Sequence, residues 1–183
     1  MRVITGSAKG IRLKTPNGQK TRPTADRVKE AVFSMIQFDV QGSVFLDLFA
    51  GTGQMGIEAL SRGAKEAVFV DSWKDACNLV RENLRLTKLS DQAQVIQSDY
   101  VSYLKNCRRK FDIVFLDPPY AEISLENSLK CISEIDILSD RGIIICERPS
   151  EKQLELEYSG LQRGKDHRYG KTWITVFRKA EQL

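Results

Sequence analysis

Val44-Phe-Leu-Asp47-Leu-Phe-Ala-Gly51-Thr-Gly53-Gln-Met-Gly56 carries an apolar run into a glycine-rich turn and out again into a helical pattern. The run Val44–Phe49 reads as a strand buried on both faces, and Met55–Ser61 as the helix that follows it. Glycines 51, 53 and 56 satisfy G-x-G-x-x-G, and Asp71 ends the next apolar run twenty residues after Gly51. Glycines allow a sharp turn and close approach of a ligand to the backbone. A carboxylate at the next strand end accepts ribose hydroxyl hydrogens. Asp47 adds a carboxylate inside the first strand, which disfavours a nearby pyrophosphate and suits a ligand bearing a cationic amino group.

Further along, Ala67–Val70, Gln94–Gln97, Ile113–Leu116 and Ile143–Cys146 are short apolar or β-branched runs. Between the runs lie helical stretches at Lys74–Lys88, Val101–Cys107 and Ser124–Ile135. Buried strands alternating with helices predict an α/β fold, a parallel sheet covered on both faces. Leu154–Leu161 and Trp173–Phe177 predict a closing antiparallel hairpin, joined by a basic loop containing Tyr169-Gly170. Upstream, Arg2–Thr5 and Ile11–Lys14 flank Gly6–Gly10 as a β-hairpin. Val28, Ala31, Val32, Met35 and Ile36 then mark an amphipathic helix, with Thr24 as its expected N-cap. The length of 183 residues suits one domain, with residues 1–40 a hairpin-and-helix appendage on a core of residues 41–183.

Composition excludes several classes. No apolar run approaches a membrane span, and the N-terminus lacks a signal-peptide core. Cys77, Cys107, Cys131 and Cys146 are widely spaced, and His167 is the one histidine, so neither a metal site nor a disulfide framework is expected. Free thiols fit a reducing, cytoplasmic setting. The net charge of +4 is unevenly distributed. Residues 1–22 hold six basic groups and no acidic one, residues 160–179 carry a net +5, and the remainder carries −7. Basic ends around an acidic middle point to a polyanion partner.

The chemistry is concentrated in Asp117-Pro118-Pro119-Tyr120, directly after the fourth apolar run. Two prolines cannot donate to a ladder and hold their predecessors extended, so the strand opens into a rigid turn. A carboxylate, freed carbonyls and an aromatic face then leave the strand end together. They suit an exocyclic amino group on a planar ring, whose hydrogens the acceptors take while the tyrosine stacks. Asp99 and Tyr100 follow the third strand in the same way, able to take an adenine amino hydrogen and pack on its ring.

In this order on successive strand ends, these residues resemble S-adenosylmethionine-dependent amino-methyltransferases. Arg2-Val-Ile-Thr-Gly, Thr21-Arg-Pro-Thr-Ala-Asp-Arg-Val-Lys-Glu-Ala-Val-Phe33 and Tyr169-Gly-Lys-Thr172 narrow the likeness to the RsmD family of bacterial 16S rRNA guanine-N2 methyltransferases, from residue 1 to about 178. The resemblance implies a Rossmann-like class I methyltransferase fold of seven strands, the last antiparallel. It implies S-adenosyl-L-methionine as cofactor, with Asp47, Gly51 and Gly53 beside its methionine half, Asp71 on the ribose, Asp99 and Tyr100 on the adenine, and Thr24 near the methionine end. Asp117, Pro118, Pro119 and Tyr120 would hold the target base; many relatives carry Phe at this last position. Arg2, Lys9, Arg12, Lys14, Arg22, Arg168, Tyr169 and Lys171 would grip phosphates of the small-subunit RNA, with the protein a monomer and no metal or membrane partner. Two other classes remain: a nicotinamide-linked oxidoreductase, which the glycine pattern alone would invite, and a non-catalytic RNA-binding protein. Among methyltransferases, the tetrapeptide does not choose between guanine-N2 and adenine-N6.

Overall fold

A computed structural model of the chain describes residues 1–16, 23–119, 122–149, 154 and 157–180. Five strands pair in parallel: β1 (Val44–Asp47), β2 (Glu66–Asp71), β3 (Ala93–Gln97), β4 (Phe111–Leu116) and β5 (Leu138–Pro149). Beside β5 lies β8 (Thr172–Lys179), antiparallel both to it and to β7 (Leu161–Tyr169), while the two-residue β6 (Glu157–Tyr158) borders β7. The order is β3-β2-β1-β4-β5-β8-β7-β6. The expected α/β architecture with its antiparallel last strand is therefore present, lengthened to eight strands by β6.

Strand alternation divides the core into two layers. Phe45, Phe69, Phe115 and Ile145 bury with Val32 and Phe33 of α1 (Pro23–Met35), Ile57 of α2 (Gln54–Ser61) and Val80 of α3 (Lys74–Thr87). Leu46, Val68, Leu116 and Cys146 face Leu104 of α4 (Tyr100–Asn106) and Leu125, Leu129 and Ile132 of α5 (Glu122–Ile135). Each such aliphatic or aromatic side chain contributes about 1.5–3 kcal/mol through burial. All four cysteines are free thiols.

One expectation at the N-terminus holds and two others need correction. The expected N-terminal hairpin is present: an antiparallel bridge joins Arg2 to Arg12, and Val3 N–H donates to the Ile11 carbonyl (3.0 Å), Gly10 N–H to the Val3 carbonyl (2.9 Å) and Leu13 N–H to the Met1 carbonyl (3.1 Å). Its other backbone groups reach helices: Ile4 and Thr5 N–H donate to the Glu58 carboxylate (2.8 and 3.0 Å), Ala8 N–H to Ser61 Oγ (2.9 Å) and Lys14 N–H to Asn83 Oδ1 (2.7 Å). Val3, Ala8 and Leu13 sink into the first core layer. Next, α1 begins at Pro23, so Thr24 lies within its first turn and is not the N-cap; proline suits a first helical position because its fixed φ is helical and it has no N–H to leave unpaired. Finally, the basic link before Tyr169 is the strand β7 itself, joined to β8 through Gly170 (φ +64) and Lys171. Beyond its two-residue pairing with β6, this strand satisfies its backbone on one side only and has no apolar face, so polar composition disguised it.

Candidate active site at the carboxyl ends of the strands

The strand order reverses between β1 and β4, where ligands of open α/β sheets bind beyond the carboxyl ends. There the glycine turn is built from backbone. Ala50 N–H donates to the Val70 carbonyl (3.0 Å) and Gly53 N–H to the Ala50 carbonyl (2.7 Å). Gly51 and Gly53 hold φ of +53 and +76, and the space into which a Cβ on Gly51 would project is open. Gly56 answers to packing: a Cβ there would stand 2.3 Å from the Phe69 ring. The amide of Asn83 ties the turn down, donating to the Thr52 carbonyl (2.9 Å) and the Lys14 carbonyl (3.1 Å).

Four adjacent strands present carboxylates here with one parity. Phe69, Phe45, Phe115 and Ile145 all lie in the first core layer, and two residues beyond each stand Asp71, Asp47, Asp117 and Glu147. The register sets their heights. Asp47 pairs with Phe115, one pleat below Asp117, and with Phe69, one pleat below Asp71. Leu116 pairs with Cys146, so Asp117 and Glu147 follow side by side.

Burial governs their protonation. Asp47 is 2 % exposed, and loss of hydration pushes it up to about 8; the Gly56 N–H (3.1 Å) opposes the rise and the charges of Asp117 and Asp71 add to it. Asp117 is exposed at the strand tip, yet enough protein surrounds its carboxyl to raise it to about 6, a smaller rise than that of enclosed Asp47. Glu147, half-buried, is raised to about 8 by loss of hydration and by the neighbouring Asp117 charge. Sequence reasoning missed Glu147. The signal was present, because the fifth apolar run ends on a carboxylate just as the fourth ends on Asp117.

Asp71 accepts from Gly51 N–H through one oxygen and from Trp73 N–H through the other (both 2.9 Å), leaving each oxygen a further lone pair. Asp99 caps α4, accepting from Ser102 N–H (2.9 Å), which holds its carboxyl below the usual range. Tyr100 lies 5.4 Å from the Phe49 ring, so the ends of β3 and β1 share an aromatic wall. Pro118 and Pro119 follow Asp117 without secondary structure. Tyr120, Arg22 and the side chain of Thr24 lie outside the described residues.

The basic residues fall in separate places. Arg2, Arg12 and Lys14 are exposed on the N-terminal segment, with Lys14 paired to Glu82 (3.0 Å). Lys9 is not with them: it sits in the turn held by Ser61, at the far end of α2 from the glycines. Arg168, Tyr169 and Lys171 lie at the β7–β8 turn, beside Pro149 at the carboxyl end of β5. Along the same edge, Met35, Ile36 and Val176 line a cleft of about 460 Å³ with Arg163, Lys165, His167 and Arg178. Among the described residues no cluster of His, Cys, Asp and Glu has the arrangement of a metal site, and no helix is long and apolar enough to cross a membrane.

Comparison with known proteins agrees with this geometry. A family model described as conserved hypothetical protein 95 matches residues 1–178. The YlbH protein of Bacillus subtilis (strain 168) is 41% identical over 182 residues, covering 98% of this chain and 99% of that protein. The ribosomal RNA small subunit methyltransferase D of Haemophilus influenzae is 37% identical over 157 residues, 84% of this chain and 81% of that one. The structure of yhhF from Escherichia coli superposes with a TM-score of 0.89 at 27% identity, covering 100% of this chain and 99% of that chain.

Proposed function

The chain belongs to the conserved hypothetical protein 95 family, and from that premise we propose that it methylates the exocyclic N2 amine of a guanine in small-subunit ribosomal RNA, with S-adenosyl-L-methionine as donor. The observation that carries the proposal is the position of Asp117-Pro-Pro at the β4 tip, across the switch point from the glycine turn and level with Asp71.

The residues present fit the donor. Its ammonium and sulfonium are cations, matched by the Asp47 and Asp71 carboxyl groups on either side of the glycine turn. Open backbone at Gly51 admits its methionine half, the spare lone pairs of Asp71 suit ribose hydroxyls, and Asp99 with the Tyr100–Phe49 wall suits adenine. When bound, this donor supplies an electrophilic methyl group on a good leaving group. The protein's own task is alignment. A purine amine is a weak nucleophile because its lone pair is delocalised into the ring. Hydrogen bonds from the amine to Asp117 and the Pro118 carbonyl favour a pyramidal nitrogen, and those to a carboxylate are worth roughly 1.5–3 kcal/mol. Tyr120 stacks on the base, adding about 1–3 kcal/mol of positioning. The base must be unpaired or flipped to reach this tip. Arg12 and Lys14 on one side and Arg168 and Lys171 on the other hold the adjoining phosphates.

The test is transfer of labelled methyl to small-subunit RNA followed by nucleoside analysis. N2-methylguanosine is expected; N6-methyladenosine would replace guanine by adenine. Asp117→Ala should abolish turnover while S-adenosylhomocysteine binds within a few-fold of wild type. Parallel loss of both would remove Asp117 from the base site.

A further inference from the structure

Glu147 is the one carboxylate of the strand-end set to which the proposed reaction gives no task. It stands beside Asp117, one register step beyond the Leu116–Cys146 pair, and on the same face. Adjacent strands lie about 4.8 Å apart, so the two carboxyl groups reach one planar ligand together. Neither has a hydrogen-bond or ion-pair partner among the described residues. The nearest cation in sequence does not serve Glu147: Arg148 points to the opposite face, where it donates to Asp166 (2.6 Å) and Thr175 (3.3 Å) and lies over the Trp173 ring. Two acceptors left unpaired side by side, Asp117 at the strand tip and half-buried Glu147, suit two adjacent donors.

A guanine edge supplies them, because N1–H and the N2 amino group are neighbours. Adenine offers an amino group next to N1, which is itself an acceptor and would face a carboxylate lone pair. We propose that Glu147 accepts the N1–H of the target guanine while Asp117 holds its N2 amine, so that the pair selects guanine over adenine. The inference deepens the proposed function and rests on its placement of a purine amine at Asp117. Donors arriving at the pair favour its fully ionised form, so guanine binding displaces the proton that the isolated pair retains. Glu147 acts here through recognition and leaves the reacting nitrogen to Asp117.

The experiment uses an RNA oligonucleotide spanning the nucleotide that methyl mapping identifies, made with guanine, 2-aminopurine or adenine at that position. 2-Aminopurine keeps the 2-amino group and lacks N1–H. Binding in the presence of S-adenosylhomocysteine and the rate of methyl transfer are both read. Wild type should prefer guanine to 2-aminopurine by on the order of a hundredfold, the effect of losing one hydrogen bond to a charged acceptor. Glu147→Ala should bring the two within about threefold of each other, with S-adenosylhomocysteine affinity unchanged. Glu147→Gln, nearly isosteric and safer for folding, should narrow the gap, since its amide can donate to N1 of 2-aminopurine. Equal handling of guanine and 2-aminopurine by wild type, with guanine still methylated, overturns this inference alone. So does an equal loss on both bases in Glu147→Ala and Glu147→Gln. Preferential methylation of the adenine oligonucleotide overturns both the inference and the function on which it rests.

Discussion

Asp47 shows what a single residue costs and offers at this site. Its carboxyl keeps a proton in the native state up to about pH 8, whereas in the unfolded chain it loses that proton near its ordinary value of 3.8. The stability it contributes is full below about pH 4 and is lost as pH rises toward 8, because there the unfolded state binds fewer protons than the native one. Asp47→Asn should therefore flatten the pH dependence of unfolding between about pH 4 and 8, and should be more stable than wild type at pH 8.5. Urea titrations across that range check it; parallel curves for the two proteins would mean Asp47 is ionised throughout. The same enclosed carboxyl favours a cationic ligand, so cofactor affinity should rise with pH toward 8 and lose that rise in Asp47→Asn. At this scale the sequence was legible at Asp71 and Asp117, each closing an apolar run, and at Asp47, inside one beside the glycine turn. Glu147 closes the fifth run in the same way, but no glycine or proline turn follows it directly, and β5 continues past it to Pro149.

Elements are joined by polar groups that pattern reading does not reveal. Glu58, fully buried in α2, accepts from Ile4 and Thr5 N–H and from Arg62 Nε (2.8 Å), and lies 3.7 Å from Lys29 Nζ. Lys29, 1 % exposed in α1, also donates to the Arg2 carbonyl (2.7 Å), and burial holds its pKa below the usual value despite the carboxylate. One side chain thus binds the N-terminal segment to two helices. Glu58→Ala strands a buried ammonium and two backbone donors, and should cost about 3–5 kcal/mol in a chemical-denaturation measurement. A loss below about 1 kcal/mol would mean water replaces the carboxylate. Helix and strand periods were readable, since α3 and the parallel strands follow apolar spacing closely. The hairpin of Arg2–Thr5 and Ile11–Lys14 was readable from its alternation, but its polar anchoring to α2 and α3 was not. β7 hid for a related reason: its inward side is served by Arg148, Asp166, Arg163 and Thr175, a polar network in place of an apolar stripe.

Across the whole molecule, acidic strand ends stand between a basic N-terminal segment and a basic β7–β8 edge. Lys165 and Arg178 in the cleft beside α1 extend that edge away from the site, and sequence alone could not associate them with Met35 and Ile36. On the reading of an RNA substrate, replacing both with Ala should weaken binding uniformly across sequences and lower the salt slope by about 0.7 per lost phosphate contact. An unchanged slope takes the cleft off the RNA path. The anchoring of the N-terminal segment has a consequence for synthesis. Its first residues wait for partners 53 and 54 positions later on α2 and 69 positions later on α3. At roughly 5–20 residues per second of elongation, that wait lasts seconds. The N-terminal segment thus leaves a ribosome well before the helices that hold it, and the glycine turn that Asn83 secures matures only when the two ends of that long closure meet.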